Sequence, residues 1–115
     1  GLPHLGIYRG HLRDALAASS NAGGTIHAYG VKVGQDKSFG NDNGAPLGRE
    51  SIAREALRRG KAVGIVSSAT VADAGTGTFL ADAPDRKKYE AIALQMLEAR
   101  PHVLLGGGEQ FFLPK

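Results

Sequence analysis

The stretch Arg49-Glu50-Ser51-Ile52-Ala53-Arg54-Glu55-Ala56-Leu57-Arg58-Arg59-Gly60-Lys61-Ala62-Val63-Gly64-Ile65-Val66-Ser67 decides the fold class. Its first part puts Ile52, Ala53, Ala56 and Leu57 on one helical face and leaves Arg49, Glu50, Arg54, Arg58 and Arg59 elsewhere, so an amphipathic helix is predicted from Arg49 to Arg59. Gly60 is a natural stop. Lys61 to Ser67 is then a short apolar run with a polar C-terminal end, the pattern of a buried parallel strand. The same order recurs downstream. Pro84 suits the first position of a helix, and Tyr89, Ile92, Ala93, Met96 and Leu97 follow at helical spacing. Arg100-Pro101 ends that helix, and His102-Val103-Leu104-Leu105 reads as a second buried strand before Gly106-Gly107-Gly108. Helix–strand–helix–strand alternation predicts an α/β chain with parallel strands. Ligands of such sheets bind beyond the C-terminal strand ends, where this reading places Ser67-Ser68 and Gly106 to Gly108.

The flanking segments are less regular. Residues 1–18 hold one short piece, His11 to Ala18, that fits either a helix or an extended segment. Ser19-Ser20 reads as a turn, followed by a helix from about Asn21 to Tyr29 with Gly30 at its C-terminal end. Gly34 to Gly48 is rich in Gly, Asn, Asp and Ser and reads as a solvated loop. Its Asp36, Asn41, Asp42 and Asn43 lack the spacing and terminal Glu of a calcium loop. Ala72 to Ala81 fits a loop running into a short helix.

A chain of 115 residues suits one domain. It is 42% hydrophobic and 22% charged, with a net charge of +3. No run of Lys or Arg concentrates that excess, and the three Tyr and four Phe do not interleave with a basic stripe, so nucleic-acid binding is not indicated. There is no cysteine, which excludes disulfides and Cys-based zinc sites. No stretch approaches the ~18 consecutive apolar residues of a membrane span. His4, His11, His27 and His102 include no pair at the i, i+4 spacing of a helical zinc site. His27 reads as a half-buried packing residue, and Met96 and the tyrosines as core. Gly106 to Gly108 lacks the spacing of a dinucleotide fingerprint.

The segment with most chemical promise is Ser19-Ser20-Asn21-Ala22-Gly23-Gly24-Thr25. A hydroxyl at a helix N-terminus lies among free backbone N–H groups at the positive end of the helix dipole. That environment holds a phosphate and stabilises an alkoxide. Ser20 there is either a nucleophile or simply a helix cap.

Ser20 to Lys32, ending in Gly30-Val31-Lys32, resembles the nucleophile segment of the alkaline phosphatase family. Counting back from Gly30-Val31-Lys32 puts the family's serine on Ser20, which the spacing favours over Ser19. The family's preceding Asp falls on Ser19, a departure. Gly60 to Ala69 resembles the family's Gly-Lys-x-x-Gly-x-Val-Ser/Thr-Thr strand, and Asp73-Ala74, Phe79-Leu80-Ala81 and Arg86 follow at its spacing. Leu104-Leu105-Gly106-Gly107-Gly108 matches its Leu-Gly-Gly-Gly strand end. The four segments span about residues 19–112; residues 1–18 are not accounted for.

The resemblance implies an alkaline phosphatase-like three-layer α/β fold with a parallel sheet, of which these residues are part. It implies phosphomonoester hydrolysis through a phosphoserine on Ser20, with Arg86 as the phosphate clamp. A guanidinium fork suits that task because it binds two phosphate oxygens and stays charged at alkaline pH. Zinc and magnesium are the implied cofactors, with Ser20 touching zinc and Asp73 near the magnesium site. The family's magnesium-binding Thr falls on Gly75, with Thr76 next to it. Substrate or product would be a phosphate ester or inorganic phosphate. A homodimer and a periplasmic or extracellular location are compatible with the same resemblance. The family's zinc ligands lie outside the matched segments, so residues 1–115 are expected to be a fragment of a larger domain, to lack a dinuclear zinc site and to be nearly inactive alone. A noncatalytic α/β module that binds an anion or a partner is the alternative. The flanking sequence of the parent gene would separate the two readings, and the transfer of roles requires Ser20 and Arg86 to converge on one cleft.

Overall fold

The computed structural model describes residues 1, 3–46 and 48–113. Its helices are α1 (Ser20–Tyr29), α2 (Ile52–Arg58), α3 (Ala74–Gly77) and α4 (Tyr89–Glu98), and its strands are β1 (Gly64–Thr70) and β2 (Val103–Gly107). Two 3₁₀ turns, Gly40–Asn43 and Glu109–Phe111, complete the regular structure. The strands run parallel, pairing Gly64 with Val103, Ile65 with Leu104 and Val66 with Leu105. The connection between them passes through α3 and α4, as a parallel pair requires. The fold is the α/β class with a parallel sheet.

The main core joins the inner sheet face to the helices. Ile65, Val71, Ala72, Ala74, Leu80, Ile92, Ala93 and Met96 are buried together with Phe39 and Ala53. A smaller cluster unites Leu12, Ala22, Ile26 and Val33 and ties α1 to the N-terminal arm.

Several expectations change. The piece at 11–18 is neither helix nor strand: it is an irregular, bent stretch in which the Leu12 N–H donates to the Ala15 carbonyl and the Arg13 N–H to the Val33 carbonyl. Helix α1 starts at Ser20, and Gly30 closes it in the left-handed region at φ 65°. Helix α2 is shorter than its pattern because Ser51 caps it, accepting from the Arg54 N–H. Ile52 is 63% exposed, while Arg54 turns inward, its Nε donating to the Leu80 carbonyl at 2.9 Å. Pro84 does not open α4, which begins five residues later. The 82–86 segment instead pairs with 37–39 at Ala83 and then bends into a turn at Arg86. Phe39 and Ala83 form an antiparallel bridge, and the Arg86 N–H donates to the Lys37 carbonyl at 2.9 Å.

The 34–48 segment, of which Leu47 lies outside the described residues, is not simply solvated: Ser38, Phe39, Gly40 and Asn43 are buried. His27 is exposed and stacks on Tyr8 at 4.7 Å. The strands are not buried on both faces. Val66, Val103 and Leu105 lie on one face of the sheet and are 69%, 42% and 58% exposed, so the continuous apolar runs mark a face that no described residue covers. Strand β1 also runs three residues past Ser67. Ser67 and Ser68 are therefore inside the strand, and its C-terminal end leads directly to Asp73.

Candidate active site

Two elements meet at that strand end. Asp73 stands at the N-terminus of α3 without capping it through its side chain. Helix α1 crosses α3 closely, and Gly24 is the reason: a Cβ there would sit 2.6 Å from Thr78 Cγ2 and 3.0 Å from the Ala74 carbonyl oxygen. The crossing brings the start of α1 beside Asp73.

At the start of α1, Ser19 occupies the N-cap position with φ −69° and ψ 163°, and its side chain makes no capping bond. Its hydroxyl donates to Asn21 Oδ1 at 2.7 Å. Ser20 is the first helical residue and is exposed, with no side-chain hydrogen bond among the described residues. Ser20 is therefore not the cap.

Arg86 reaches the same place from the 82–86 segment. Its Nη2 donates to Asp73 Oδ1 at 3.0 Å, and its Nη1 donates to Asn21 Oδ1 at 3.2 Å. The guanidinium is about one-third exposed, as is the Asp73 side chain. Arg86 and Asp73 thus form an ion pair, and Arg86 is bonded to the residue that follows Ser20. Asn21 is buried, with Nδ2 donating to the carbonyls of Asp36 and Ser38. The Ser38 hydroxyl and the Lys37 N–H hold the Asp36 carboxyl below the usual carboxylate range, which braces that loop.

Thr25 joins α1 to the same loop, donating to the Asn21 carbonyl and accepting from the Gly40 N–H, both at 2.9 Å. Thr76 is committed to backbone, its hydroxyl donating to the Val71 carbonyl at 2.6 Å.

Among the described residues no three His, Cys, Asp or Glu side chains gather as a metal site would require. Asp73, the acid that reaches Arg86, is already paired with it. These residues do not by themselves supply a donor set for zinc or magnesium.

The sequence model of alkaline phosphatases matches residues 1–115. The chain belongs to the alkaline phosphatase family. Solved alkaline phosphatases share the fold of this segment. The enzyme of Thermus thermophilus is 33% identical, with a TM-score of 0.78 over 90% of this chain and 22% of its own. A cold-active alkaline phosphatase from a psychrophilic Shewanella species is 30% identical, with a TM-score of 0.76 over 91% of this chain and 26% of its own. A mutant of TAB5 alkaline phosphatase with Mg bound in its M3 site is 23% identical, with a TM-score of 0.77 over 90% of this chain and 30% of its own, and shows likeness of fold. No curated protein matches the chain significantly. This alkaline phosphatase segment thus spans between a fifth and a third of the length of the solved family members it matches.

A second polar cluster, invisible to motif reading, braces the segment behind the site. Asp82 accepts from the Tyr29 hydroxyl at 2.6 Å, the Asn41 N–H at 2.7 Å and Arg54 Nη1 at 3.3 Å. Burial, then the bond to Asp82, pushes the Tyr29 hydroxyl well above the ordinary tyrosine pKa. In the sequence Arg54 lies one helical turn after the Ser51 cap, where periodicity alone assigns it to solvent.

Proposed function

We propose that this segment handles the phosphate in a phosphomonoesterase, with Ser20 as nucleophile and Arg86 as phosphate clamp. The observation that carries the reading is the Arg86 Nη1–Asn21 Oδ1 bond, which holds a guanidinium beside the residue following an exposed serine at a helix N-terminus. The choice of Ser20 over Ser19 rests on the hydroxyls themselves. Ser19 has committed its proton to Asn21, whereas Ser20 is free to turn toward a ligand.

In this reading the Ser20 oxygen attacks phosphorus and the ester oxygen leaves with a proton as the alcohol. Arg86 binds two nonbridging oxygens, whose charge grows in the transition state. Water then attacks the phosphoserine, releasing inorganic phosphate and restoring the Ser20 hydroxyl. The zinc and magnesium of the family would take their ligands from outside the described residues, with Asp73 as neighbour of the magnesium and Ser20 of a zinc. The segment works within a longer polypeptide, and alone turns over phosphate esters negligibly even with added zinc. Export to the periplasm or beyond and a homodimeric state belong to the same proposal.

In the full-length enzyme, Ser20→Ala is expected to abolish the phosphate that acid quenching traps on the protein, read by mass spectrometry of the peptide carrying Ser19 and Ser20. Arg86→Ala is expected to lower kcat/KM about 10- to 100-fold, the worth of a charged hydrogen bond at ~1.5–3 kcal/mol. Label that persists on Ser20→Ala and vanishes on Ser19→Ala would transfer the role to Ser19. Full turnover with no label on that peptide, in the unmodified enzyme as in the two single variants, would favour a noncatalytic anion-binding module.

A further inference from the structure

We infer that Asn21 is a positioning residue for Arg86, locked by the backbone of the 36–38 loop so that its amide oxygen aims the guanidinium at the phosphate. The inference rests on the clamp role proposed above for Arg86 and adds what holds the clamp. Asn21 is 1% exposed. Its Nδ2 faces two carbonyl oxygens, those of Asp36 and Ser38, so the amide has one tolerable orientation. Flipped, its oxygen would face both carbonyls and its NH₂ would face the Arg86 donor. The remaining atom, Oδ1, therefore points at Arg86 Nη1 at 3.2 Å and accepts from Ser19 Oγ at 2.7 Å, which fills its two lone pairs.

Asp73 takes Nη2, so each terminal nitrogen of Arg86 has one anchor. Two anchors fix the plane of the guanidinium and still leave Nε–H and one hydrogen on each terminal nitrogen for phosphate oxygens. A clamp already in place loses less side-chain freedom when the anion arrives. The chemistry of the anchors matters too. Asp73 offsets the Arg86 charge once, and a second carboxylate at position 21 would offset it further. The neutral amide holds the guanidinium and leaves its attraction for phosphate.

The test is a double-mutant cycle in the full-length enzyme, read as the inhibition constant of inorganic phosphate and as separate KM and kcat values. Asn21→Ala is expected to weaken phosphate inhibition and raise KM about tenfold, the effect of one charge-assisted hydrogen bond, with a smaller change in kcat. In the Arg86→Ala background the same substitution is expected to have no further effect on either constant. A residue that only supports the fold would lower thermal stability and leave the phosphate constant of the folded enzyme unchanged. Penalties that add in the double variant, or a silent Asn21→Ala beside a damaging Arg86→Ala, would overturn this inference and leave the clamp intact. A silent Arg86→Ala would remove the clamp and the inference together. Should Asn21→Ala fail to fold, a crystal structure of the unmodified enzyme with phosphate bound decides: Arg86 still on Asn21 Oδ1 is expected, and Arg86 turned away from it refutes the role.

Discussion

Gly24 is a helix-interior residue where one methyl group separates two opposing effects. Helix propensity alone favours Ala over Gly by up to ~1 kcal/mol. The added Cβ would press on Thr78 Cγ2 and on the Ala74 carbonyl, and overpacking of this kind costs about 1–3 kcal/mol. Gly24→Ala is therefore expected to destabilise, seen as a lower urea midpoint with an unchanged slope. Tyr29 gives a prediction in pH. Its hydroxyl is neutral in the fold and its pKa is raised above the ordinary 10.0. The unfolded chain thus loses that proton first as pH rises. Stability is complete below about pH 10 and falls above it, by at most ~1.4 kcal/mol per pH unit from this one group. Denaturant midpoints at pH 9 and 11 should show the fall, and Tyr29→Phe should flatten it while lowering stability by about 1 kcal/mol at neutral pH.

At the scale of elements, local pattern served where the chain interacts mostly with itself. Helix α4 was legible because Ile92, Ala93 and Met96 recur at helical spacing and are all fully buried. Gly30 was legible as a stop because the left-handed conformation is intrinsic to it. Pro84 misled, since the 82–86 segment is governed by a partner distant in sequence: the Phe39–Ala83 bridge and the Lys37 carbonyl outweigh a local helix preference. Of the candidate site, Ser20, Asp73 and Arg86 were singled out by motif spacing, and the structure brings Asp73 and Arg86 into contact. Asn21 was not, since its role depends on carbonyls fifteen and seventeen residues away. Phe39 anchors that pairing and is completely buried. Phe39→Ala should cost about 3–5 kcal/mol and free both the Asn21 acceptors and the Arg86 backbone. Resistance to global denaturation and inhibition by phosphate should therefore fall together.

At the scale of the molecule, a two-stranded parallel sheet with one bare face is a marginal structure in water. The radius of gyration is 14.3 Å, slightly above the ~13 Å of a close-packed domain of this length. Val66, Val103 and Leu105 give the bare face its apolar character, and exposed patches of this kind bind hydrophobic dyes and drive association. The 115 residues on their own should therefore bind such a dye and elute as concentration-dependent oligomers on size exclusion. Val66→Thr with Leu105→Thr should reduce both signals.

The Gly48–Glu50 stretch is exposed, and it divides the residues around Arg86 into two sets. Ser19, Ser20, Asn21 and the Asp36–Ser38 carbonyls lie before it; Asp73 and Arg86 lie after it. A single nick after Arg49 would leave a serine half and an arginine half, each inert without the other. Phosphate binding regained on mixing them would make this short surface turn a ready seam for a split reporter.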